Sequence, residues 1–113
     1  MNEILTPADV IAELNRLMQE SQKGIVALYE AEIKVANLDV EHDRAVAVAL
    51  LEAVGTALDR QSTAKLACAD KKLALDIAKA ELNRVKAKLR AIDSAQVAVS
   101  VIGKQVEFHI RQS

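Results

Sequence analysis

Four lysines, Lys65, Lys72, Lys79 and Lys86, recur every seven residues. On an α-helix a seven-residue step returns to nearly the same face, so they form one cationic line, which Arg84, Lys88 and Arg90 widen at one end. Such a line suits the phosphates of a nucleic-acid backbone or the carboxylates of an acidic protein groove. No aromatic side chain is interleaved with it for base stacking. The favoured reading is that these charges pair with an acidic arm of the same chain or are simply solvated; as a binding surface, the line suits a protein partner first and nucleic acid as the alternative. The binding candidates are Lys72, Lys79, Arg84, Lys86, Lys88 and Arg90.

Other reactive side chains are scattered. His42 stands between Glu41 and Asp43, but adjacent helical residues point in different directions and no second histidine follows at i+4. A polar or solvent-facing His42 is expected, and His109 beside Phe108 is read the same way. Cys68 falls within an apolar series and reads as a small core residue, since a catalytic thiol needs a base and an electropositive site that spacing does not supply. The sequence holds no phosphate-binding glycine loop, nucleophile elbow, paired-cysteine zinc motif or calcium loop. The reading is a non-enzymatic protein with no catalytic residues, no metal and no cofactor.

The elements that carry these residues follow from what the chain lacks. Its 113 residues include one proline, Pro7, and three glycines, Gly24, Gly55 and Gly103. Apolar residues make up 51% of it while aromatics are 2%, so the core must come from many small Ala, Val, Leu and Ile contacts, as in closely packed helices. The formal net charge of −1 gives no bulk attraction to nucleic acid or to anionic membranes. One cysteine allows no intramolecular disulfide, which favours a reducing compartment. The start Met1-Asn2-Glu3 does not have the pattern of a secretory signal, and the most apolar stretch, Ala45 to Leu51, is too short to span a bilayer. A cytoplasmic protein without a membrane partner is expected.

Thr6-Pro7-Ala8-Asp9 is a helix start: a capping hydroxyl, a proline whose missing N–H costs nothing there, and an acid in the first turn. Helix 1 is expected over about 7–21, with Val10, Ile11, Leu14, Leu17 and Met18 as its apolar stripe. Ser21 to Gly24 reads as a break. Helix 2 then covers about 25–53, and Gly55 suits the left-handed position after a helix end. Thr56 to Asp59 repeats the capping pattern and opens helix 3, about 57–111. There Ala64, Cys68, Leu75, Ala78, Leu82, Val85, Leu89, Ile92, Val99, Val106 and Ile110 keep one alternating three-four series, from which only Lys71, Gln96 and Gly103 depart. Gln96 either fixes a buried register or lies exposed. A heptad series of this length predicts coiled-coil-like packing.

Charge indicates the partner of that helix. Residues 1–54 hold ten acids and four bases, whereas residues 60–90 hold nine bases and three acids. If the chain reverses at Gly55, residues whose numbers sum to about 112 lie side by side. Glu52 is then expected near Arg60, Glu41 near Lys71, Asp39 near Lys72 and Glu32 near Lys79. The fold class is therefore all-α: one domain, a long antiparallel helical hairpin with a short N-terminal helix. A second row on helix 3 (Leu66, Leu73, Ile77, Ala80) and the all-round apolar run Ala45 to Leu51 exceed what two helices can cover. Self-association is expected, most simply as a dimer, with Leu82, Val85, Leu89, Ile92 and Val99 in the oligomer core.

A resemblance adds to this reading. The alanine-rich run Ala45 to Ala53, Gly55, Arg60, the cluster Ala64, Ala67 and Ala69, the basic stretch ending Leu89-Arg90-Ala91 and an apolar C-terminal segment form one succession. In it the chain from Arg44 onward resembles small, mostly uncharacterised helical-hairpin proteins of tailed bacteriophages, often encoded near recombination or single-strand DNA-handling genes. The resemblance implies a phage protein in the host cytoplasm, docking on a protein partner in DNA recombination or replication. It carries over no catalytic residue. The alternatives are direct nucleic-acid binding through the lysine line and an inhibitor or sponge that acts against a bacterial defence factor.

Overall fold

The computed structural model describes residues 6–112, and every regular element among them is a helix. In chain order these are α1 (Pro7–Glu52), α2 (Ala57–Ala67) and α3 (Ala69–Gln112). The fold is the expected all-α antiparallel hairpin. It packs as two compact units, one formed by Met1–Ala27 with Val85–Ser113 and the other by Leu28–Arg84.

Both expected helix starts form. The Thr6 hydroxyl accepts from the Asp9 N–H at 3.2 Å while Asp9 Oδ2 accepts from the Thr6 N–H at 3.1 Å. Thr56 and Asp59 repeat this reciprocal box at 3.2 and 3.3 Å. Between α1 and α2 the chain reverses at Gly55, whose φ of 107° lies where a Cβ is strained. Arg60 does not seek Glu52. Its Nη2 donates to the Leu50 carbonyl at 2.7 Å, satisfying an oxygen in the last turn of α1 that has no helical N–H to accept from.

Two boundaries differ from the sequence reading. The break expected at residues 21–24 is absent, so the short N-terminal helix and helix 2 are one element, α1. Gly24 is buried in the interface between the two arms, where an added Cβ would stand 2.5 Å from Leu89 Cδ2. Its role is to admit a leucine, and the roughly 1 kcal/mol helical penalty of a glycine is the cost of that contact. Conversely, helix 3 is interrupted at Cys68 (φ −102°, ψ 10°), where no glycine or proline marks it. The interruption is slight, because Cys68 N–H still reaches the Ala64 carbonyl and Lys72 N–H the Cys68 carbonyl, both at 3.0 Å.

In the first unit, Val10 and Leu17 of α1 are buried with Ile92 and Val99 of α3, and Leu14, Ala95 and Val106 pack on them. Gly103 interrupts the apolar series for the same reason as Gly24: its missing side chain leaves room for Val10 Cγ1, 3.0 Å from where a Cβ would lie. The facing numbers, 24 with 89 and 10 with 103, sum to 113, one residue from the expected register. Gln96 is half-buried, and Ile110, expected in the series, is exposed. On the surface the Arg16 guanidinium hydrogen-bonds the Glu13 carboxylate and holds its pKa below the usual value.

In the second unit, the buried residues are Ala64, Cys68, Leu75 and Ala78. The α1 side of this unit is half-buried at Leu28, Ala31, Val35, Leu38, His42 and Ala45, again in alternating three- and four-residue steps. Calling the α1 positions Val10, Leu17, Gly24, Ala31, Leu38 and Ala45 d, and Leu14, Ser21, Leu28, Val35 and His42 a, gives one unbroken a/d seam along α1.

If Gly24 is a packing residue, Gly24→Ala lowers stability by about 1–2 kcal/mol, overpacking against Leu89 outweighing the helix-propensity gain. In a Leu89→Ala background the same change becomes neutral or stabilising by up to about 1 kcal/mol, since the obstructing side chain is gone. Urea unfolding of the four proteins measures the cycle; a gain from Gly24→Ala in the otherwise native chain would show that the site is not crowded.

Candidate functional site

Heptad position determines what each basic residue can do. Lys65, Lys72, Lys79 and Lys86 all occupy e, at the edge of the seam. In an antiparallel pair the two e columns lie on the same side, so in the second unit Lys79 and Lys72 stand opposite Glu32 and Asp39 of α1. None of the four expected cross-arm ion pairs forms among the described residues. Lys72 instead pairs along its own helix with Asp76 at 3.7 Å, and Lys65, Lys79 and Arg84 make no ion pair. The cross-arm pair that does form, Lys34 with Glu81 at 3.3 Å, is on the g edge and has the opposite polarity to the expected ones, with the base on α1. The charges of the two arms therefore complement each other in sum, while the long side chains stay solvated. Exposed pairs are worth only about 0–1 kcal/mol, too little to order them.

Arg84 shares the second unit with Lys72 and Lys79, while Lys86, Lys88 and Arg90 belong to the first. All six are exposed. They do not make one strip. Lys86 is at e, Lys88 at g across the seam, and Arg90 at b, because residues two apart on a helix point in nearly opposite directions.

The residues expected in an oligomer core also pack within the chain. Ile92 and Val99 are buried and Leu82, Val85 and Leu89 half-buried within a single chain. Leu89 meets Gly24, and Ile92 and Val99 pack with Val10 and Leu17, so these three belong to the seam of the first unit. The row of α3 left outside is f: Leu66, Leu73 and Ala80 in the second unit, Val101 and Phe108 in the first, all exposed. Its counterpart on α1 escaped the sequence reading, which had broken that helix at Gly24. In the second unit Tyr29, Ile33, Val40, Ala47 and Leu51 are exposed on the side of α1 away from its seam. The missed signal was the heptad itself, which becomes visible once Ser21 and Gly24 are allowed to be seam residues.

His42 is not solvent-facing. It occupies an a position with its side chain 20% exposed and Nδ1 3.8 Å from Asp43 Oδ1. With Val46, Leu50, Ala64 and Cys68 it lines a largely apolar groove rimmed by Lys65 and Lys72. Cys68 is buried there, as expected. His109 is exposed. Among the described residues no three His, Cys, Asp or Glu side chains come together in a geometry that could hold a metal ion, and no helix is long and apolar enough to cross a membrane.

Burial of Cys68 predicts that its thiol reacts with an aromatic disulfide reagent at least about tenfold more slowly in the native protein than in denaturant, because attack requires an exposed thiolate. Equal rates would place the thiol at the surface. Comparison with protein-family models, with curated proteins and with solved structures finds no match to this chain.

Proposed function

We infer that this is a non-enzymatic helical interaction protein that associates with itself and docks on a protein partner through surface outside its seam. The observation that supports this reading most is area. The chain exposes 8603 Å² at a mass of 12.2 kDa. A compact monomer of that mass exposes about 6,100 Å², so the excess is about 2,500 Å². A stable interface removes roughly 800 Å² from each partner. The excess includes contiguous apolar side chains on the outer faces of both arms, among them Val40 at 56% and Leu73 at 60% exposure. Apolar patches of this extent mark interaction surfaces.

A place in DNA recombination or replication, and a phage origin, belong to this proposal through the resemblance alone. One observation favours the alternative of direct nucleic-acid binding: the e-column lysines are not neutralised by the acidic arm. The inhibitor reading draws no support from the geometry.

Light scattering on the eluting protein should give a mass of at least twice 12.2 kDa that mixed-sequence single-stranded DNA does not change at low salt. A persistent monomer whose DNA complex weakens steeply with salt would replace the reading with nucleic-acid binding, since released counterions make such affinity salt-dependent. The two lysine groups are separable: reversing Lys72 and Lys79 to Glu tests the second unit and reversing Lys86, Lys88 and Arg90 tests the first, each with helicity as the control for folding.

A further inference from the structure

We propose that the outer face of α1 in the second unit is a self-association surface on which a second copy packs antiparallel about a two-fold axis near Leu38. This rests on the reading of an interaction protein and names one of its partners. The apolar row of this face within α1 is Tyr29, Ile33, Ala36, Val40 and Ala47, which alternate between the b and f positions opposite the seam. Apart from Asp43 after Val40, they are successive three- and four-residue steps, so the row is a second heptad seam. Tyr29, Ile33 and Val40 are 65%, 42% and 56% exposed, so none of the described residues covers it. Being opposite the a/d seam, it can receive another helix without disturbing the hairpin.

Charge identifies that helix as a second copy and sets its direction. The column beside the row, at c, reads Glu30, Asn37, Arg44. Among the described residues neither Glu30 nor Arg44 makes an ion pair, and at 1.5 Å per residue they stand about 21 Å apart on α1, too far to reach one another. A parallel copy would set Glu30 beside Glu30 and Arg44 beside Arg44. An antiparallel copy with Asn37 against its own counterpart sets each Glu30 beside the copy's Arg44, and the two-fold makes that contact twice. The same register places Tyr29 against the copy's Ala47 and Val40 against its Ala36, large against small each time. Asp43 falls opposite Ile33, with its carboxylate drawn toward His42 of its own chain at 3.8 Å. Asp39 meets its counterpart near the axis, the one like-charge contact.

A charge swap tests the register. In sedimentation equilibrium of the full chain, Glu30→Arg and Arg44→Glu should each weaken the dimer by about tenfold or more, and the double variant should recover most of the loss. Asp39→Asn should tighten it. Asn37→Cys in a Cys68→Ala background should oxidise to a covalent dimer, and far-UV circular dichroism confirms that each variant is helical. An oligomer indifferent to the swap, with no Asn37→Cys cross-link, overturns this interface while leaving the interaction-protein reading in place. A native protein that stays monomeric at high concentration overturns self-association on this face and leaves a different protein as the partner.

Discussion

The contact on which the rest of the structure depends is the seam between the two arms, and within it the pairing of Gly24 with Leu89. An α-helix of 46 residues is stable only if one face is continuously covered, because propensity alone leaves it marginal. A leucine that enters the space left by a missing Cβ brings the backbones close and fixes which residue of one arm faces which residue of the other. Gly103 and Val10 repeat the device within the same unit, in the same register. Side chains of conventional size, Leu17, Ile92 and Val99, then fill the intervening positions.

The remaining features of each unit follow from this geometry. An a/d seam assigns the e and g columns to its edges, which is why the lysines at 65, 72 and 79 stay solvated and why Lys34 and Glu81 meet. It also assigns b, c and f to the outside, and here the composition is unusual for a surface. Leu66, Leu73, Tyr29, Ile33 and Val40 occupy positions that a two-stranded coiled coil normally fills with charge. The hairpin therefore satisfies its backbone and one face of each helix, and leaves apolar side chains of the second face exposed. The proposed function concerns that remainder.

Two long helices joined by one tight turn bring few reactive groups together. His42 and Cys68 line one groove in the second unit together with Val46, Leu50 and Ala64, and Lys65 and Lys72 rim it.

Much of this was legible in the sequence. The scarcity of glycine and proline, the two Thr-x-x-Asp boxes and Gly55 determine an all-α hairpin with its turn at 53–56, because capping and left-handed geometry are local requirements that neighbouring residues meet by themselves. The three-four series of helix 3 determines which of its faces is buried. What the tertiary structure decided is non-local. Whether Gly24 breaks a helix or accommodates a leucine depends on Leu89, 65 residues away, and a local rule cannot distinguish the two. The same holds for His42, polar by type yet half-buried through its heptad position, and for Arg60, which chose a carbonyl over a carboxylate. It holds as well for Leu89, whose apolar character called for burial but did not show that Gly24 of α1 would receive it.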